Sequence, residues 1–477
     1  MRLLRSLGRW FYDRLALSTL EHILKHKVPP ELASRKGWMY VFGFATLTAF
    51  IAQVVTGAAL VTKYIPSPAH AHASLQHLTH EVPLGWLARA MHYYGASAMV
   101  LFVFLHVARV YLTGSYKFPR EMNWISGVVL LFLVMSMALT GQLLRWDENG
   151  VWTVVVAAKF VGRVPLIGRE LSELVLAGET VGGTTLSRFF AFHVFILPAL
   201  IIALVTLHIY LLYQHGISEP PKAGRPVDPK TYRAWYRERV DRLGVPYFPD
   251  GMWREVVVAA ALVLGVVALA LLFGPKGPGA EPDPTRLSTN PRPDWFVRWY
   301  YALLWVKPRG YEELVMVYAP IAVLFLMILL PLVARRGERS PARRVWAVLL
   351  VGLVALGLGS LIVLGTQAPW TPAVGTSPLT GDALGGAPGP AREGAQLFYD
   401  RGCQYCHAVL GEGGQYGPEL TGVAKRLSPE EIAVRIVNGI RNMPAYRDLL
   451  PPGELDSIVL FLRWLPERAA PAAEASR

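Results

Sequence analysis

Charge is scarce in this chain. Asp, Glu, Lys and Arg make up 17% of its 477 residues, 53% are apolar and the mean hydropathy is +0.34. A soluble domain carries roughly 25% charged residues, so a single soluble globule is excluded, as are disordered and collagen-like chains. Cysteine is scarcer still. The two present, Cys403 and Cys406, are too few and too close together to staple such a length, which points to local chemistry. Acids are outnumbered 34 to 47, leaving a formal charge of +13. Such a balance often marks nucleic-acid binding, but its distribution here gives it another origin.

Long apolar runs are what the sequence does have. Seven are long enough to cross ~30 Å of hydrocarbon: residues 38–62, 91–112, 124–144, 189–213, 255–273, 314–334 and 344–365, called spans A to G. Basic residues fall in alternate connections. Before A stand Arg2, Arg5, Arg9, Arg14, Lys25, Lys27, Arg35 and Lys36 against three acids. The B–C loop has Lys117 and Arg120, and the D–E loop has Lys222, Arg225, Lys230, Arg233, Arg237, Arg239 and Arg242. The F–G loop has Arg335, Arg336, Arg339, Arg343 and Arg344, while the other three loops are nearly balanced. The positive-inside rule then puts the N-terminus in the cytoplasm, and seven crossings put the C-terminus outside. The excess charge is an orientation signal, and no nucleic-acid partner is needed to explain it.

The expected fold is all-α: a seven-span transmembrane bundle with a small helical C-terminal domain. Residues 1–37 read as a basic amphipathic surface segment without a small-residue cleavage pattern. Residues 38–220 hold four spans and 221–365 three. Residues 366–391, rich in Pro and Gly, read as a flexible linker of roughly 25–30 Å r.m.s. span. Residues 392–467 read as the helical module and 468–477 as a tail.

Span B carries His92 and His106, fourteen residues apart; span D carries His193 and His208, fifteen apart. Fourteen helical steps rise ~21 Å and return nearly to the same face, while fifteen rise ~22 Å and rotate by about 60°. B and D run in the same direction, so His92 is level with His193 and His106 with His208. Facing imidazoles across a bundle can hold a haem iron from both sides, which predicts two non-covalent b haems. Spans A and C echo the spacing with Gly43 and Gly57, and Gly127 and Gly141, where a porphyrin edge needs a missing side chain. Arg89 and Arg109 lie one turn from His92 and His106 and are candidates for pairing with propionates. Near the C-terminus, Cys403-Gln-Tyr-Cys406-His407 follows the pattern of a covalently attached c haem. The module around this motif resembles a class I cytochrome c, and that resemblance implies Met443 as the second axial ligand; His/Met ligation raises the potential and suits an electron acceptor.

These residues carry a resemblance. Residues 28–220 resemble cytochrome b of the bc1/b6f family, the b6 type in particular, through VPPEL, TLTAFIAQVVTG, the GWLARAMHYYGASAM stretch, TGQLLRWDENGVW, VPLIG and TLSRFFAFHVFILP. Residues 247–365 resemble the family's three-span subunit IV, and the CQYCH module resembles a class I cytochrome c. The family's quinol-site signature Pro-Glu-Trp-Tyr stands here as Pro293-Asp294-Trp295-Phe296: the carboxylate is one methylene shorter and the phenol hydroxyl is gone. Val41 stands where b6 chains attach an extra haem by a cysteine, so that thioether link is not expected. Arg145-Trp146 replaces the usual Pro-Trp after span C.

The resemblance implies a proton-translocating quinol–cytochrome c reductase of a respiratory chain, working by a Q cycle in a bacterial cell membrane. Quinol would dock on the outer side between residues 151–163 and the PDWF loop. One electron would pass by a Rieske iron–sulfur partner to the c haem and on to a downstream cytochrome c or terminal oxidase. The other would cross the two b haems to reduce quinone inside. Asp294 is the candidate acceptor of a quinol proton, and His215 a candidate donor to the inner quinone. A homodimer is implied as well. A passive di-haem conduit would leave spans E to G and the PDWF loop without a role, and a sensor or assembly protein with a c module would leave the four stacked histidines without one.

Overall fold

The computed structural model describes residues 24–178, 181–282, 293–308, 310–367, 376–414, 417–439, 443 and 445–468, with a few positions between 10 and 21. Most of the amphipathic segment, the stretch 368–375 of the expected linker, Pro444 and the tail beyond Arg468 lie outside the described residues.

Helices dominate. In the first half they are α1 (Val41–Val61), α2 (Ala71–His80), α3 (Gly85–Leu112), α4 (Glu121–Leu143), α5 (Glu148–Val161), α6 (Gly168–Leu176), α7 (Gly183–Ala191) and α8 (Leu197–His215). Next come α9 (Tyr232–Leu243), α10 (Trp253–Phe273), α11 (Trp295–Val306), α12 (Ala319–Val333) and α13 (Val345–Gln367). The C-terminal module has α14 (Gly389–Asp400), α15 (Cys403–Cys406), α16 (Pro429–Asn438) and α17 (Pro452–Arg468). Two short antiparallel pairings complete the regular structure: β1 (Lys27–Val28) with β2 (Val245–Pro246), and β3 (Ala408–Val409) with β4 (Glu412–Gly413).

Among the described residues, seven helical segments are long and apolar enough to cross a membrane, one for each of spans A to G. Two extend well past the apolar run. The helix of span B starts at Gly85, because Arg89 is buried and hydrogen-bonded and does not end it. The helix of span D runs from Gly183 to His215 through a π-turn at Phe192–Ile196, where the Leu197 amide donates back to Phe192. Pro198 lacks the amide that would bond one turn back, and the wider turn accommodates it. A π-turn inserts one residue, so the fifteen-residue step from His193 to His208 behaves as fourteen. The 60° offset expected from an ideal helix is thereby absorbed.

The bundle core interleaves small and large side chains. Ala45 and Ala49 of α1 pack with Met99 and Val103 of α3, Leu131 and Val134 of α4, Ile201 of α8 and Leu262 of α10. At one end, the basic loops do more than set orientation. Arg344 donates to the carbonyls of Tyr111 and Leu112 at the C-terminus of α3, at 3.0 and 3.2 Å. Arg339 pairs with Glu219 at 2.5 Å, and Tyr232 donates to the same carboxylate at 2.7 Å. Arg254 donates to the carbonyls of Leu32 and Ala33. These buried cations lock the four-helix part to the three-helix part.

The C-terminal module is built on the crossing of α14 and α17. A Cβ on Gly394 would lie 1.9 Å from the Ser457 carbonyl oxygen, so only glycine allows this approach. Phe398 and Phe461 meet beside it, and Arg401 grips Glu454 with two bonds of 2.8 and 2.7 Å. One expectation is corrected here. Residues 376–391 are not linker: Leu379, Leu384 and Ala387 belong to the module's core, and α14 begins at Gly389. Fully buried Gln404, inside the CQYCH motif, donates to Thr376 Oγ1 and the Ser377 carbonyl at 2.9 and 2.7 Å. Composition alone hides this, because the anchoring contacts are long-range.

Candidate functional site

The four helix histidines meet in two pairs. Ring centroids are 6.3 Å apart for His92 and His193, and 6.5 Å for His106 and His208. Two metal–imidazole bonds of about 2 Å plus half of each ring add to roughly 6.3 Å, the separation an iron held between both rings requires.

Each ring lies against one of the glycines singled out by spacing. A Cβ on Gly43 would be 3.0 Å from His106, on Gly57 3.3 Å from His92, on Gly127 3.3 Å from His208 and on Gly141 2.7 Å from His193. The residue before three of these glycines is a hydroxyl that orients the ring. Thr56 Oγ1 is 2.9 Å from His92 Nδ1, Ser126 Oγ 2.9 Å from His208 Nδ1 and Thr140 Oγ1 3.2 Å from His193 Nδ1. Each hydroxyl already donates its proton to a carbonyl of the preceding turn, of Ala52, Asn123 and Ser136 respectively. It can therefore only accept from the ring. That fixes the proton on Nδ1 and leaves the Nε2 lone pair for a metal. A Ser/Thr-Gly dipeptide at the glycine spacing was the sequence signal for these residues; His106, opposite Phe42-Gly43, has no such partner among the described residues. Gly141→Val would drive a methyl into His193, and the expected result is loss of one of two b haems per chain by pyridine haemochrome assay.

The two arginines differ. Arg109 is half-buried over the Tyr40 ring at 3.7 Å, and its Nε and Nη2 have no hydrogen-bond partner among the described residues. An orphaned guanidinium costs several kcal/mol, and a propionate would supply the missing charge. Arg89 is already engaged, donating to Thr79 and to the Lys276 and Gly277 carbonyls.

A cavity of about 410 Å³ connects the first histidine pair to the PDWF segment; its lining includes Gly57, His92, Gly141, His193, Arg145 and Asp294. Asp294 is 19% exposed, and its Oδ2 accepts from Gln142 Nε2 at 3.0 Å. Oδ1 has no hydrogen-bond partner among the described residues. Burial pushes its carboxyl above the usual range, while Arg145 opposes the shift. Phe296 lines the same cavity, Trp295 Nε1 donates to Ser97 at 3.3 Å, and the Pro293 carbonyl accepts from Arg298.

His106, His208 and His215 lie outside this cavity's lining. The His215 ring is half-buried and its carbonyl accepts from Arg120. Near Arg109 stands a group that the sequence reading missed: Glu255, buried at the start of α10 and bonded by the Tyr247 hydroxyl. A carboxylate opening an apolar span was its signal.

In the C-terminal module, His407 Nδ1 is 2.7 Å from the Pro418 carbonyl, so its Nε2 is free for a metal. A Cβ on Gly417 would lie 2.3 Å from the ring. Cys403 and Cys406 bracket the single turn α15 next to it, and Met443 packs against the same core. The donor set suits a covalently held haem.

Residues 26–216 match the family model for cytochrome b/b6/petB, 282–380 that for cytochrome b(C-terminal)/b6/petD, and 389–462 that for cytochrome C oxidase, cbb3-type, subunit III. Cytochrome b6 of Synechococcus elongatus is 41% identical over 212 residues, 44% of this chain and 97% of its own. Cytochrome b6 of Mastigocladus laminosus is 41% identical over the same length and shares. A solved hyperthermophilic respiratory Complex III chain is similar in structure, with a TM-score of 0.61 and 26% identity over 76% of this chain and 91% of that one.

Proposed function

Because this chain belongs to the cytochrome b/b6 family, we propose that it is the membrane subunit, with its own cytochrome c module, of a quinol:cytochrome c oxidoreductase. It works in a bacterial cell membrane with the module outside, beside a Rieske iron–sulfur subunit, and passes electrons to a downstream cytochrome c or terminal oxidase. Two b haems, held by His92/His193 and His106/His208, and one c haem, held by Cys403, Cys406, His407 and Met443, would supply the electron carriers.

The chain's own residues do the rest. The cavity's lining includes no residue of 151–163; its part between His92 and His193 would take a b haem, and its part toward Asp294 and Phe296 the quinol ring. Gln142 fixes Asp294 through Oδ2, and Oδ1 accepts the proton as quinol is oxidised. Arg109 neutralises a propionate at the inner pair. Inside, His215 is the candidate proton donor to quinone, and buried Glu255, bonded by Tyr247, is a second.

The observation that carries this reading is the single cavity shared by His92, His193 and Asp294. A passive conduit has no use for a half-buried carboxylate there. The test is quinol addition to the complex with its inner site blocked, followed by an oxidant. Oxidant-induced reduction of the b haems is expected; its absence would favour the conduit.

A further inference from the structure

Arg145 stands between two carboxylates and is bonded to neither. Its Nε is 3.5 Å from Asp147 Oδ2, and its Nη1 is 3.9 Å from Asp294 Oδ2. Both separations are within ion-pair range and beyond a hydrogen bond. Although the side chain is only 19% exposed, Nε has no hydrogen-bond partner among the described residues. Asp147 cannot move to meet it: fully buried, it accepts from the amides of Gly150 at 2.8 Å and Gly279 at 2.9 Å. Between the two, Trp146 has a left-handed backbone (φ 45°), a strained geometry for a bulky residue, which the surrounding contacts must hold. Among the described residues, the Asp294 side chain is hydrogen-bonded by Gln142 alone, at the same end of α4 as Arg145.

We propose that Arg145 is a positioning residue shared by the two carboxylates, pairing with Asp294 while that group is ionised and closing onto Asp147 once Asp294 has taken the quinol proton. The inference rests on the reading of Asp294 as proton acceptor. The proton leaves the quinol oxygen and forms Oδ1–H, so Asp294 loses its charge. A buried guanidinium then finds its strongest partner in the carboxylate that remains ionised. The exchange needs a movement of about 1 Å, by the difference between these separations and hydrogen-bond length. Arg298, Lys276 and Tyr93 also face Asp294, and all stay in place in the variants below.

The experiment is the pH profile of quinol oxidation by the complex, with b-haem spectra as the check on folding. Turnover rises with pH as Asp294 ionises. Arg145→Gln removes a favourable charge and is expected to move that rise about one pH unit upward, roughly tenfold in rate on its slope. Arg145→Lys restores most of it. Asp147→Asn removes the competing carboxylate and is expected to move the rise downward. If Arg145→Gln fails to hold haem, the Asp147→Asn profile decides alone. A profile unmoved in either folded variant, while Asp294→Asn slows turnover, overturns the role of Arg145 and leaves that of Asp294. Full turnover in Asp294→Asn overturns the acceptor reading itself.

Discussion

His208→Leu is expected to halve the protohaem content, from two per chain to one, with the c haem untouched. Leucine fills similar space but offers no lone pair, and Ser126, which accepts from His208 Nδ1, loses its partner. The outer pair does not share a ligand with the inner one, so its spectrum should persist. Quinol-driven turnover is expected to fall by more than about a hundredfold, as for removal of a member of a set that acts as a unit. Pyridine haemochrome analysis gives the count directly. Two protohaems in the purified variant would refute the pairing of His106 with His208.

Asp294→Asn is the second large effect. The amide can still meet Gln142 but accepts no proton at neutral pH. Loss of general-base assistance costs typically 10²–10⁴-fold, so a drop of about a hundredfold or more in quinol oxidation is expected. Because burial raises the proton affinity of Asp294, wild-type turnover should rise with pH through that ionisation, and the variant should lose the rise. Haem spectra should not change, since Asp294 contacts neither histidine in the hydrogen-bond network.

The chemistry of the membrane part was legible because it is periodic. Fourteen-residue spacings of His and Gly project onto one helix face by geometry alone, and apolar length measures the bilayer. Span D shows where periodicity stops being enough. Its fifteen-residue step is read correctly only with the π-turn that Pro198 imposes, and a proline does not announce which kind of irregularity it causes. The Thr56, Ser126 and Thr140 hydroxyls were marked by their place before the glycines, but what they do was not legible, for a different reason. Their role depends on where each proton goes, to a carbonyl one turn back, which residue type does not state. Asp147 and Arg145 are neighbours in sequence, but their partners Gly279 and Asp294 come from the far side of span E. Glu255 sat in plain view, and its partner Tyr247 on the preceding turn could have drawn attention to it.

Gln404 has a mechanical consequence for the C-terminal module. By pinning Thr376 and Ser377, it ties the first described residues of the module to the CQYCH motif. Nine peptide steps separate Gln367 from Thr376, a reach of at most about 32 Å. Any load on the chain at Thr376 is therefore carried straight into the CQYCH turn, ahead of the crossing of α14 and α17.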